Sequence, residues 1–170
     1  DWSSDVCSSD LLVSPQPPLE RGGRVIRLSE HFTLDELTFS QEAARKGISN
    51  VPGRDIITNL TDLCIVLEEV RELLRCPLLI SSGYRSPALN TAIGGAKNSA
   101  HMAGLAADFT APAFGAPLAV AKAITASDLP FDQIIHEYGR WVHLGINGTN
   151  PRRQTLTIRN AREGYLQGLR

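Results

Sequence analysis

The chain has 170 residues with 42% apolar composition, which suits one domain with a proper core. A formal net charge of −1 excludes the strong basic field that draws a protein to nucleic acid or anionic membrane. No apolar run approaches the roughly 20 residues that span a bilayer, so we expect neither membrane insertion nor nucleic-acid binding, and we expect a monomer.

Residues 1–24 stand apart. Asp1 to Leu11 resembles the translation of a common short-read sequencing adapter, and we read it as non-native and exclude it from fold reasoning. Leu12 to Arg24 carries Pro15, Pro17, Pro18, Gly22 and Gly23 and reads as unstructured chain or translated leader, with Val25 a candidate start. Such a segment gives no trustworthy signal peptide. The expected domain covers residues 25–150, and residues 151–170 are expected to form a C-terminal strand and tail.

Thr33-Leu34-Asp35-Glu36 has the form of a capping box and starts a short helix. A second runs through Gln41 to Lys46, closed by Gly47. Between Arg54 and Arg75, Ile56, Leu60, Leu63, Leu67, Val70 and Leu74 recur at steps of four and three, the pattern of a long amphipathic helix. Cys64 sits on its apolar face and reads as a buried core thiol. Twelve helical residues would hold Cys64 and Cys76 roughly 18 Å apart, against the roughly 7 Å limit between bridged Cα atoms, so both thiols should be reduced. Leu78 to Ser81 reads as a buried strand, and Pro87 to Ile93 as a short helix with proline in its first turn. Leu105 to Thr110 alternates like a strand, sending Phe109 to the core and Asp108 to an open face beside His101. A small-residue helix should cover Ala116 to Ala126, with a hairpin of Asp132 to Tyr138 and Trp141 to Ile146. Gln154 to Arg159 is one more strand candidate, followed by a polar end. Helices segregated from a few antiparallel strands give an α+β class with a small antiparallel sheet and flanking helices.

Chemistry concentrates in Ser99-Ala100-His101-Met102-Ala103-Gly104-Leu105-Ala106-Ala107-Asp108 and in Trp141-Val142-His143. Two imidazoles and one carboxylate match a zinc site that keeps its fourth position open for water. Such a site needs a base. Glu137 is the candidate if Tyr138, Gly139 and Arg140 form a three-residue loop, because Glu137 then pairs with Trp141 and shares the His143 face. A two-residue Gly139-Arg140 loop would instead place His136 opposite His143. Glu137 is preferred, since Val142, Leu144 and Ile146 make the other face a poor home for a carboxylate. Arg85 is the candidate substrate anchor, through bidentate binding of a carboxylate or polarisation of a carbonyl. Ser99 is a candidate hydrogen-bond donor to substrate or a cap of its local turn. Tyr84 and Trp141 are packing residues or part of a substrate subsite. His31 is assigned no role, and Arg152-Arg153 reads as a solvated pair or, alternatively, a contact for an anionic polymer.

The combination is more specific than its parts. Ser82-Gly83-Tyr84-Arg85-Ser86, Asn90, Gly94-Gly95, Ser99-x-His101, Gly104-x-Ala106-x-Asp108 and Trp141-Val142-His143 follow in one order. Together with Leu28-Ser29-Glu30-His31-Phe32-Thr33, they resemble the M15 zinc peptidases, in particular the D-Ala-D-Ala carboxypeptidase-like branch of bacteria and phages. That resemblance implies an α+β fold shared with Hedgehog signalling domains and a Zn2+ cofactor on His101, Asp108 and His143. It implies peptidoglycan stem peptide as substrate and action at the cell wall, in the periplasm, outside the cell or delivered by a phage. By position, Arg85 and Ser99 would bind substrate and Glu137 would be the base. Many members of the wider family place the base in E-x-x-H, a position held here by Arg140. An L-alanyl-D-glutamate endopeptidase of phage lysis type is the alternative enzyme, and a non-catalytic zinc-stabilised binding domain the alternative class.

Overall fold

The computed structural model describes residues 25–170; the adapter-like stretch and the leader lie outside the described residues. Helix α1 (Leu34–Thr38) starts at Thr33, whose hydroxyl accepts a hydrogen bond from the Glu36 amide at 3.3 Å, one half of the expected capping box. Helix α2 (Gln41–Lys46) is capped by the Ser40 hydroxyl and ends at Gly47 in the left-handed conformation.

Helix α3 (Arg54–Leu74) is the main prop of the core. Leu60, Leu63, Leu67, Val70 and Leu74 are buried, while Asp62, Glu69 and Glu72 remain in solvent. Burying each such aliphatic side chain is worth about 1.5–3 kcal/mol before chain entropy is counted. Half-buried Glu68 ties the N-terminal stretch to this helix, accepting from the Ser29 hydroxyl at 2.6 Å and the His31 amide at 2.7 Å, with His31 Nδ1 at 2.8 Å. His31 is therefore a structural residue. Cys64 and Cys76 are both free, and burial together with Glu36 and Glu68 pushes the Cys64 thiol up to about 12.

The remaining elements are β1 (Leu79–Ser82), α4 (Pro87–Ala92), a 3₁₀ turn (Ala100–Ala103), β2 (Ala106–Thr110), α5 (Pro117–Thr125), β3 (Gln133–Glu137), β4 (Trp141–Gly145), β5 (Gln154–Ile158) and β6 (Tyr165–Gln167). The strands form one six-stranded sheet in the order β1-β2-β4-β3-β5-β6. The sheet is mixed, which corrects the expectation of an antiparallel one: β3 and β5 pair in parallel. The cause is connectivity. The β3–β4 hairpin returns the chain to the end of the sheet where β3 began, so a strand added on the free side of β3 runs in the β3 direction. The short strand β6 falls where a polar end was expected and pairs with β5.

Register gives the sheet two unlike faces. Ala107, Phe109, Val142, Leu144 and Ile134 share the core face and are fully buried. Helix α5 covers β3 and β4 on this side and packs against α3. The other face carries a row of side chains through Asp108, His143, Ile135, Leu156 and Gln167, each opposite the next on the neighbouring strand. A second row runs Trp141, Glu137, Ile158, Tyr165. Among the described residues, no helix is long and apolar enough to cross a membrane.

Candidate metal centre

Three elements bring His101, Asp108 and His143 together. Asp108 and His143 are directly opposite on β2 and β4, so alternation puts both on the face away from Phe109 and Val142. His101 arrives from the 3₁₀ turn, which Gly104 ends at φ 70, a left-handed conformation that side-chain-bearing residues adopt only with strain. A Cβ on Gly104 would also meet the Ile56 carbonyl oxygen at 3.0 Å. The expected reversal between His101 and Asp108 therefore needs glycine on two counts.

The three side chains offer ligand atoms that all lie within 4.8 Å of one another. His143 Nδ1 is 2.8 Å from Asp108 Oδ1, and His101 Nε2 is 3.2 Å from that oxygen and 3.1 Å from His143 Nδ1. Asp108 was expected on an open face; it is 4% exposed, because the imidazoles and Arg85 cover it.

The tautomer of His101 follows from its second contact. Its Nδ1 lies 2.6 Å from the Gly83 carbonyl oxygen, which can only accept, so Nδ1 carries the hydrogen. Burial lowers the affinity of His101 for a second proton, more than Asp108 restores it. Its Nε2 lone pair therefore faces a carboxylate oxygen and another imidazole nitrogen. Burial opposes charge on Asp108 too, but His101 and His143 outweigh it and hold the carboxyl well below the usual carboxylate range. Two imidazoles and a carboxylate whose ligand atoms converge in a buried site are a donor set that a cation can hold together. Two imidazoles and a carboxylate are borderline ligands that suit zinc, and a backbone carbonyl orienting the distal nitrogen of a ligating histidine is a recurrent support. The residues present fit such an ion.

Arg85 follows β1 and pairs its guanidinium with Asp108 Oδ2, while Nε donates to the Ser82 hydroxyl at 2.8 Å. Glu137 closes β3. It pairs with Trp141 across the loop Tyr138-Gly139-Arg140, the three-residue alternative, and the Arg140 amide donates to the Glu137 carbonyl at 2.8 Å. His136 is thereby opposite Val142, and its Nδ1 donates to the Arg170 carbonyl at 2.9 Å. Burial, then the nearby Asp108 charge, raises the proton affinity of the Glu137 carboxyl; Trp141 Nε1 donates to it at 3.1 Å. Ser99 sits at the start of the 3₁₀ turn, and its hydroxyl makes no cap bond there. Buried Asn90 holds the loop leading to Ser99, donating from Nδ2 to the Ala96 carbonyl at 2.9 Å.

Arg85, Ser99, His101, Asp108, Glu137 and His143 all line one cleft of about 620 Å³. Sequence reasoning missed its far wall, made by Gln133, Gln154, Gln167 and Tyr165. The available signal was the bracketing of Tyr165-Leu166-Gln167 by Gly164 and Gly168, a strand too short to show periodicity. Nor is Arg152-Arg153 merely solvated. Arg152 pairs with Asp132 and lines the cleft, and Arg153 donates to the Leu129 and Ser127 carbonyls with its guanidinium 4.4 Å from the Phe131 ring centroid.

Comparison with known proteins agrees with this geometry. Residues 30–145 match the family described as Peptidase M15, a span that holds His101, Asp108, Glu137 and His143. No curated protein matches the chain. A family match over most of the chain, and a buried cluster of two histidines and an aspartate with the donor chemistry of a metal site, make this protein a member of the peptidase M15 family of metallopeptidases.

Proposed function

We propose that the protein is a zinc-dependent peptidase of peptidoglycan stem peptides, acting as a D-Ala-D-Ala carboxypeptidase or D,D-endopeptidase. His101, Asp108 and His143 would hold the ion. The observation that carries this reading is the convergence of ligand atoms from two histidines and an aspartate, all within 4.8 Å of one another, on a cleft that also holds the half-buried carboxylate of Glu137.

A bound zinc ion would supply Lewis acidity and lower the pKa of water toward about 7. Glu137 takes the proton of the attacking water and returns it to the leaving amine. Burial and the Asp108 charge make it a stronger base than an ordinary glutamate, and the Trp141 indole N–H fixes which of its oxygens is engaged. Arg85 keeps guanidinium N–H groups beyond those used on Asp108 and Ser82, and these bind a substrate carboxylate. The Ser99 hydroxyl, unused by its own turn, donates to the substrate from the rim. The Gly83 carbonyl takes the His101 Nδ1 hydrogen, which would leave Nε2 as the nitrogen that binds the ion.

The test is digestion of purified peptidoglycan by the full chain with zinc, with product termini mapped by mass spectrometry. Release of D-alanine, or new D-alanine termini that vanish with chelator, is the expected result. New L-alanine and D-glutamate termini would assign the L-alanyl-D-glutamate bond instead. Stoichiometric zinc without cleavage of any stem peptide would make the metal structural, as in a Hedgehog-like binding domain.

A further inference from the structure

We propose that β5 and β6 form a saccharide subsite of this cleft, which takes the neutral N-acetylated sugar carrying the stem peptide. The proposal rests on the peptidase reading above. The family match ends at residue 145, yet the cleft continues over Gln154, Leu156, Tyr165 and Gln167. Leu156 and Gln167 extend the row that holds His143, Tyr165 extends the row that holds Glu137, and Gln154 lies opposite Gln133, so the wall is continuous with the metal centre.

Its chemistry differs from that of the opposite side. Arg85, beyond β1, is paired with Asp108 but keeps guanidinium N–H groups that can bind a carboxylate at that end of the cleft. On the β5–β6 side, Gln133 Nε2 donates to Gln154 Oε1 at 2.7 Å, which leaves the Gln133 carbonyl oxygen and the Gln154 NH₂ group to meet a ligand. Among the described residues, the one cation lining this wall, Arg152, has its charge matched by Asp132 and lies mostly in solvent. Two aromatic rings border the wall in the open: Tyr165 is 57% exposed and Tyr138 is 41% exposed, the latter with its ring centroid 5.5 Å from that of Trp141. Uncharged amides that both donate and accept, beside exposed ring faces, suit a pyranose ring with an acetamido group: the amides meet its hydroxyls and amide, and the rings meet its C–H face. A stem peptide bears carboxylates and belongs toward Arg85; the sugar bears none. Three strand spacings separate β4 from β6, about 14 Å, a distance that about four extended residues cover. A stem peptide reacting at His143 is thus long enough for its sugar-linked end to reach this wall.

The experiment is titration of the zinc-loaded full chain with N,N′,N″-triacetylchitotriose, followed by amide NMR. Shifts should map to β5 and β6, and Tyr165→Ala and Gln154→Ala should each weaken binding roughly tenfold, about 1.4 kcal/mol, with zinc content unchanged. No peptide bond is involved, so loss of the peptidase reading would leave this result standing. Absence of shifts on β5 and β6, retention of full affinity in both variants, or the same shifts from a sugar-free stem peptide would overturn the saccharide assignment.

Discussion

Two atoms of His101 do different work, and its partners decide which does what. Nδ1 is committed to Gly83, and Nε2 is left as a lone pair toward Asp108 and His143. Glu137 stands outside that triad, raised by burial and by the Asp108 charge, and shares the cleft. A base that is not a ligand can be removed without losing the metal. Glu137→Gln should lower kcat about 10²–10⁴-fold while KM and zinc content stay near the wild-type values. Steady-state kinetics on a stem peptide with parallel metal analysis checks this. Loss of zinc in that variant would instead make Glu137 a ligand.

At the scale of elements, the site depends on close approach of α1, β1 and the 3₁₀ turn. The Tyr84 amide donates to the Leu37 carbonyl at 2.7 Å, and a Cβ on Gly83 would lie 2.3 Å from that same oxygen. Gly83→Ala should therefore push β1 from α1, cost about 1–3 kcal/mol as overpacking does, and weaken zinc binding through the displaced Gly83 carbonyl; thermal melts and zinc titration read the two effects. A second junction lies at the far edge, where Arg152 binds Asp132 from side chain and backbone at the entry to β5. The Arg152 side chain lowers the Asp132 pKa first, against a partial opposing effect of burial. With a folded pKa below the unfolded value, this contact stabilises the fold above about pH 4 and is lost as pH falls through the depressed folded value. NMR titration should find Asp132 below the ordinary aspartate range, rising in Arg152→Ala, with little change in stability because Arg152 is largely exposed. The elements themselves were largely legible. The α3 spacing, the Pro87 start and the alternation around Asp108 and His143 are local patterns. The parallel β3–β5 pairing and β6 were not, because neighbour order in a sheet is a long-range fact that no short window encodes.

Across the whole molecule, one mixed sheet separates two kinds of chemistry. Its core face is a dry layer of Phe109, Val142, Leu144 and Ile134 against α3 and α5, and its other face carries the metal centre and the cleft. The candidate ligands were legible because strand alternation around Phe109 and Val142 left Asp108 and His143 on one side; the choice of Glu137 over His136 needed the loop length. The burial of Asp108 was not legible, since it depends on Arg85 and His101 arriving from other elements. An ion that binds only the folded chain stabilises it by mass action, about 2.7 kcal/mol at a hundredfold excess over Kd, so chelator should lower Tm in the wild type. The most direct measurement is zinc per chain, by elemental analysis of wild type and His143→Ala after dialysis. One zinc per wild-type chain and essentially none in the variant is the predicted result. Equal zinc in both proteins, or none in the wild type at any zinc concentration that leaves it folded, would contradict a site built from His101, Asp108 and His143.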